Sequence, residues 1–321
     1  MNSATALICS DRFHEHDTGY HPENAHRLKA IAAQLRRTGM LEDRAVYEPT
    51  EASTDDVELV HVPEYVRLVE QIAGAGGGYL DADTVICPRS YDVARLAAGA
   101  CIQAVNLVLD GTESRVFVFP RPPGHHAERA RGMGFCLFNN VAIAARHAID
   151  RRGLFRVAIV DWDVHHGNGT QDVFLDTDQV LYASVHQWPL YPGTGRAQEA
   201  GVRYGFGYTV NVPLTPGAGD AEYLQVFDEI IVPKLVEFHP ELILLSAGFD
   251  AHADDPLASM AVTTDGFAAM ARRIKEQADR LCGGRLVAVL EGGYNPDILA
   301  KCVEEVIRVF DATSESKEIP T

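Results

Sequence analysis

Apolar positions along the 321-residue chain fall into short runs separated by longer, periodic segments. Seven runs read as strands: residues 5–9, 115–119, 156–161, 180–185, 208–212, 242–247 and 285–290. They are rich in β-branched residues and barely alternate in polarity, which is the pattern of strands covered on both faces of a parallel sheet. Between many of them lie segments with helical spacing: 26–39, 91–111, 139–153, 220–238, 263–281 and 296–310. Gly39, Gly111 and Gly153 each follow an amphipathic run, where a helix stop favours glycine. Strands alternating with helices predict an α/β fold, an open parallel sheet sandwiched by helices. Without a repeat or a linker, residues 1–321 are expected to form a single domain. The stretch AGAGGGY (73–79) reads as a flexible loop, and the tail 312–321 is expected to fray.

Composition narrows the setting. The chain is 46% hydrophobic and 23% charged, ordinary for a globular protein. Its six cysteines form no CxxC pair, which argues against a disulfide framework or a thiolate zinc site and predicts a cytoplasmic location. No apolar run approaches the roughly 20 residues that span a bilayer, and the N-terminal stretch lacks the features of a signal peptide. A formal charge of −17 repels phosphate backbones and argues against nucleic-acid binding. It is compatible with plain solubility or with attraction of a cationic substrate.

Candidate chemistry lies at the strand ends. Ligands of open α/β sheets bind beyond the carboxyl ends of the strands. His125 and His126 follow the run 115–119, and Asp161, Asp163, His165 and His166 follow 156–160. His186 follows 180–185, Asp250 follows 242–247, and Glu291 and Tyr294 follow 285–290. Asp163 and His165 are two residues apart, so an extended segment would point both the same way. With Asp250 they make three N/O ligands, the set of a catalytic zinc with an open fourth position. The alternative is a capped turn in which Asp161 and Asp163 bond backbone amides. Adjacent His125 and His126 suggest proton transfer. A carboxylate partner such as Asp161 would favour imidazolium at one histidine, and an amide partner such as Asn168 would leave the other free to act as a base. Alternation turns His166 away from His165 and marks it as structural. Tyr294 follows two glycines, where a phenol can donate to a developing oxyanion.

These motifs resemble the arginase–deacetylase superfamily, and within it the zinc-dependent histone deacetylases and bacterial histone-deacetylase-like amidohydrolases, with class II-like details. RPPGHHAE, GFCLFNNVAIAARHA, DWDVHHGNGTQDVF, LSAGFDAHADDPL, LEGGYN and the N-terminal HPENAHRL carry the resemblance, over about residues 20–296. It implies a single-domain parallel eight-stranded sheet sandwiched by helices, and a hydrolase that removes acetyl or other acyl groups from the ε-amine of lysine. It further implies Zn²⁺ on Asp163, His165 and Asp250. His126 would be the base that activates water and later protonates the leaving amine. His125, paired with Asp161, would be its electrostatic partner, Asn168 would contact His126, and Tyr294 would bond the acyl carbonyl and oxyanion. Phe135 and Tyr191 would wall an acyl-lysine tunnel, with Gly134 near the amine. Structural K⁺ would use Asp161, Asp163, His165, Ser184 and Val185 at one site, and Phe174, Thr177, Val180 and Tyr208 at a second. Leu257 stands where a polyamine-selective relative carries glutamate, which favours acyl-lysine over an acetylpolyamine. Asp83, in the loop LDADTV, reads either as a rim acid that bonds a substrate backbone or as a solvated loop acid. The remaining readings are an arginase-like binuclear hydrolase, which would need more carboxylates, and an inactive acyl-lysine binder, which should have lost one of these groups. The chain itself leaves room for a homo-oligomer.

Overall fold

The computed structural model describes residues 4–42 and 44–313. Its centre is an eight-stranded sheet in the order β2-β1-β5-β10-β9-β6-β7-β8, parallel throughout. The strands are β1 (Ala6–Ile8), β2 (Val46–Tyr47), β5 (Arg115–Val118), β6 (Val157–Asp161), β7 (Val180–Gln187), β8 (Thr209–Leu214), β9 (Leu242–Ala247) and β10 (Leu286–Leu290). Every residue of β6, β7, β9 and β10 is buried, so the non-alternating runs are strands covered on both faces. Seven of the eight match the sequence reading within three residues at each end. The eighth, β2, is a two-residue edge strand with an exposed Val46, too short to show a period.

The helices form two layers. In one, α4 (Ser90–Leu109) and α5 (Asn140–Asp150) pack together and against β5, β10 and β6. In the other, α1 (His26–Arg37), α10 (Pro296–Asp311) and α9 (Thr264–Cys282) pack in succession, with α9 against β9. By length and apolar content α4 could cross a membrane, but most of it is buried in this core. The segment 220–238 is helical but not uniform: α7 (Asp220–Val226) and α8 (Val232–Phe238) flank a π-turn at Phe227–Ile231. Pro233 has no N–H to give the previous turn, and the helix widens just before it, with Val232 N–H donating to the Phe227 carbonyl.

Three local expectations need correction. AGAGGGY is not wholly loop: it ends α3 (Pro63–Gly74), and β3 (Gly78–Tyr79) pairs antiparallel with β4 (Val85–Ile86). His186 does not follow β7 but lies inside it. The residues after β6 do not continue extended; β6 stops at Asp161, and α6 (Asn168–Phe174) starts after a bent segment. Of the tail expected to fray, residues 314–321 lie outside the described residues. The other end of the described chain is tied down, since Thr5 N–H donates to Asp311 Oδ1 at 2.6 Å.

Candidate active site

The strand order brings the loaded ends together. β5, β10, β9 and β6 are consecutive neighbours in the sheet, so the segments carrying His125–His126, Glu291–Tyr294, Asp250 and Asp161–His165 leave it side by side. Asp163, His165 and Asp250 converge, each offering a ligand atom within 4.8 Å of the others. His165 Nδ1 lies 3.1 Å from Asp163 Oδ1 and 3.1 Å from Asp250 Oδ2.

The local chain explains how two residues of one bend face the same way. Asp161 Oδ1 accepts the Asp163 N–H (3.2 Å), and Asp163 Oδ1 accepts the His165 N–H (2.9 Å). The capped-turn alternative is therefore realised together with the metal position, because Asp163 both caps the turn and faces that position. Asp163 Oδ2 also takes the Gly292 N–H at 2.8 Å, and Asp250 Oδ1 takes the Val164 N–H at 2.9 Å. Two glycines make room for these carboxylates. A Cβ on Gly248 would sit 2.0 Å from Asp163 Oδ2, and one on Gly292 would sit 2.1 Å from Asp250 Oδ2.

The electrostatics call for a cation. Burial penalises charge on His165, yet its hydrogen bonds to Asp163 and Asp250 and their negative charge carry its pKa up to about 10. Burial likewise opposes charge on Asp163, but the His125 and His165 rings hold its carboxyl well below the usual range. Two buried carboxylates and one imidazole, converging with backbone N–H groups behind them, fit a divalent metal with N/O preference.

The paired histidines have unlike partners. His125 Nδ1 is 3.1 Å from Asp161 Oδ2, and that oxygen also accepts the Tyr182 hydroxyl at 3.0 Å. His126 Nδ1 is 2.8 Å from Asn168 Oδ1. The Asn168 amide N–H donates to Glu128 Oε1 at 2.7 Å, so its oxygen faces His126 and must accept. His126 therefore carries its proton on Nδ1 and leaves the Nε2 lone pair free. Burial lowers both histidine pKa values in principle. For His125 the charges of Asp163 and Asp161 reverse this, raising it to about 10. For His126 burial and the positive His125 and His165 rings act together and lower it well below normal. The rings lie 4.1 Å apart, an imidazolium beside a neutral imidazole.

Tyr294 is set by its backbone: its N–H donates to Asp255 Oδ2 at 2.6 Å, and Asp255 Oδ1 holds the Leu257 N–H at 2.9 Å. Burial pushes the Tyr294 phenol well above its usual pKa, so it remains a donor. Its ring lies under the Arg27 guanidinium at 5.1 Å and edge-on to Phe135 at 5.8 Å. Phe135, with φ +70°, also meets the His21 ring at 4.4 Å and gives its N–H to Thr84 Oγ1 at 3.1 Å. Tyr191 stands edge-on to His126 at 5.1 Å and to His165 at 6.3 Å. A Cβ on Gly134 would lie 2.5 Å from His126 Cδ2 and 3.0 Å from Tyr191, so Gly134, Phe135 and Tyr191 all border the same centre. Asp83 lies exposed on the β3–β4 turn beside Asp81, whose Oδ1 accepts its N–H at 3.2 Å. His166 faces away, with Nδ1 2.8 Å from Thr194 Oγ1. His186, inside β7, bonds Ser184 Oγ and the Gly195 carbonyl and is not part of the centre. The residues assigned to monovalent cations spread along β6 and β7, where Asp161 is in register with Ser184, and around the α6–β7 connection. There the Phe174 carbonyl accepts the Thr177 N–H at 3.4 Å and the Tyr208 carbonyl accepts the Tyr182 N–H at 2.9 Å.

Sequence reasoning missed a buried support beneath the site. Glu23 takes a two-pronged ion pair from Arg121 (2.5 and 2.8 Å) and a third contact from Arg27 (3.3 Å). Burial opposes this charge, but the arginines hold its pKa at about 2. Arg27 donates in turn to the Gly293 carbonyl (2.7 Å) and to the Glu291 carbonyl, fixing the turn before Tyr294. Glu291 itself holds the Gly124 and His125 N–H groups at 2.8 and 3.2 Å. HPENAHRL and RPPGHH contain Glu23, Arg27 and Arg121, but nothing in a single sequence marks an arginine as buried.

Fold and site together define a hydrolase of the deacetylase type, and comparison with known proteins gives the family. Residues 21–310 match the histone deacetylase domain, and the chain belongs to that family. It is 47% identical over 294 residues to a probable deacetylase of Archaeoglobus fulgidus, covering 91% of this chain and 81% of that protein. It is 42% identical over 290 residues to the mouse polyamine deacetylase HDAC10, covering 86% of this chain and 43% of that protein. The crystal structure of the HDA15 HD domain superposes with a TM-score of 0.92 at 38% identity, covering 97% of this chain and 89% of that one. The chain is a deacetylase, an enzyme that hydrolyses linear amide C–N bonds, and its family is zinc-dependent.

Proposed function

We propose that this chain hydrolyses the amide of acyl-lysine side chains, acetyl-lysine first, with Asp163, His165 and Asp250 holding one Zn²⁺. The carrying observation is the convergence of that ligand set with a neutral His126 and a protonated Tyr294 on adjacent strand ends. A metal bound there supplies positive charge that polarises the acyl carbonyl and lowers the pKa of water.

The protein's own groups do the rest. His126 Nε2, left basic by the Nδ1 bond to Asn168, takes the proton of the attacking water and returns it to the departing amine. His125, held as imidazolium by the charges of Asp163 and of its hydrogen-bond partner Asp161, keeps positive charge beside it. Tyr294 donates its O–H to the oxygen of the scissile carbonyl as negative charge develops there. Phe135 and Tyr191 flank the alkyl stem of the lysine, and the Gly134 backbone lies close to the amine end. Monovalent cations at the two groups of β6–β7 and α6–β7 residues would stiffen the floor.

An acetylated polyamine is the second reading, favoured by the likeness to a polyamine deacetylase. Leu257 places an apolar side chain two residues after Asp255, where a distant ammonium would gain from an acid. The test is kcat/KM on an acetyl-lysine peptide, a longer acyl-lysine peptide and N-acetylated spermidine with one metal-loaded preparation. Preference for either peptide supports the proposal; a tenfold or greater preference for the polyamine overturns it.

A further inference from the structure

We propose that a polar network built on the buried His166 and His186 and the half-buried Glu199 positions the loop bearing Tyr191, and thereby sets which acyl groups the tunnel accepts. This rests on the reading of Tyr191 as a tunnel wall. None of the three residues borders the metal position with its functional atoms; each acts through the loop.

The loop leaves β7 at Trp188 and is gripped beyond Tyr191. Glu199 takes the Gly195 N–H at 3.0 Å and the Arg196 N–H at 3.1 Å, and its Oε2 also accepts the Gln171 side-chain amide at 2.9 Å. That fixes Gln171 Oε1 as an acceptor, which receives Asn211 Nδ2 at 2.6 Å and His166 Nε2 at 3.0 Å. His166 is thus an Nε2–H tautomer whose Nδ1 accepts the Thr194 hydroxyl at 2.8 Å. His186 repeats the arrangement: Nε2–H donates to the Gly195 carbonyl at 2.8 Å, and Nδ1 accepts from Ser184 Oγ at 2.9 Å. Gly195, at φ +91°, sits close against both rings. A Cβ there would come within 2.5 Å of His166 Cγ and 2.5 Å of His186 Nε2. Tyr191 itself is 39% exposed and is held by packing against His126, so its position follows the loop. The network reaches the metal segment directly, because His165 and His166 are neighbours that face opposite ways.

The experiment compares wild type, Glu199→Ala, Glu199→Gln, Gly195→Ala and Tyr191→Ala. Each is assayed for kcat and KM on acetyl-lysine and butyryl-lysine peptides, with metal content and thermal melting recorded. Losing the anchors should raise the acetyl-lysine KM about 5- to 30-fold, as expected for one to two lost hydrogen bonds, while kcat changes by less than about threefold. The butyryl-to-acetyl ratio of kcat/KM should rise by about the same factor. Glu199→Gln keeps an acceptor oxygen for Gly195 and should restore most of the wild-type KM. If Gly195→Ala fails to fold, the Glu199 pair carries the test alone. Unchanged KM and acyl preference in the anchor variants, with both altered in Tyr191→Ala, overturns the network proposal. If Tyr191→Ala also leaves both unchanged, it is the tunnel-wall reading that fails.

Discussion

Replacing Gly292 by alanine probes the metal centre without removing a ligand. Gly292 is not among the residues with positive φ, so alanine carries no backbone penalty there. The cost is contact: its Cβ would lie 2.1 Å from Asp250 Oδ2 and 2.6 Å from Asp163 Oδ2, where ordinary contact begins at 3.4 Å. At least one carboxylate has to retreat by about 1 Å, whereas metal–ligand distances tolerate only about 0.2 Å. The retreating group has little freedom, because Gly292 N–H and Val164 N–H already hold the two carboxylates. Metal affinity should therefore fall at least 10- to 100-fold, the loss seen when supporting shells of metal sites are disturbed. Elemental analysis after dialysis should show substoichiometric metal, and turnover should return only when metal is added in excess. Thermal melting of the metal-free forms checks that the fold survives. One tightly held metal per chain with near-wild-type turnover would refute the assignment of Asp163 and Asp250 as joint ligands.

Other outcomes follow from the same geometry. Tyr294→Phe should keep its metal and lose about 2.7–4 kcal/mol of transition-state stabilisation, read as a 10²- to 10³-fold drop in kcat; near-normal kcat would exclude the phenol as oxyanion donor. Metal binding at pH 7 should release about one proton, because His165 is protonated without metal, with a pKa near 10; calorimetry in buffers of different ionisation enthalpy detects it, and a buffer-independent enthalpy contradicts it. His61 donates from Nδ1 to the Glu128 carbonyl (2.9 Å) and accepts the Asn139 N–H at Nε2 (2.9 Å), so it must be neutral, and burial lowers its pKa to about 4. The unfolded chain takes this proton first, so stability should fall by about 3 kcal/mol as pH drops from about 6.5 to 4; denaturant melts of wild type and His61→Gln across that window should converge at low pH, and parallel curves would refute the linkage.

The sheet was legible because its strands are buried on both faces and therefore read as unbroken apolar runs. β2 was not, since two residues carry no period. The metal and proton-transfer residues were legible because polar groups at the end of an apolar strand stand out against it. Asp163 and His165 were paired by an argument from extended backbone, yet the segment bends; carboxylate-capped turns, not alternation, bring the side chains together. The supports were illegible for a different reason. Glu23, Arg27 and Arg121 are charged residues in polar stretches, where exposure is the default. Their burial depends on partners up to 266 residues away, as between Arg27 and Gly293.

The buried charges show why the site is organised as it is. Asp161, Asp163, Asp250 and Glu291 are fully buried at the strand ends, and Asp255 is nearly so. Burial and its neighbour Asp250 push the Asp255 pKa up to about 7, and burial, joined by the charges of Asp161 and Asp163, leaves Glu291 at about 7 even after the charge of His125 offsets part of the rise. Such a concentration of carboxylates cannot remain ionised without positive charge. Arg27 and Arg121 are committed to Glu23 and to backbone carbonyls, and of these carboxylates Arg27 lowers only Asp255, in part. In the metal-free chain the compensation falls on His125 and His165. Only one of these can be relieved by a metal without losing the proton-transfer pair, and it is the one whose Nδ1 faces both Asp163 and Asp250. His125 keeps its proton through the charge of Asp163 and that of Asp161, which stands behind it outside the triad, and that keeps His126 the neutral member of the pair. The division of labour between the histidines thus comes from where the surplus negative charge is placed.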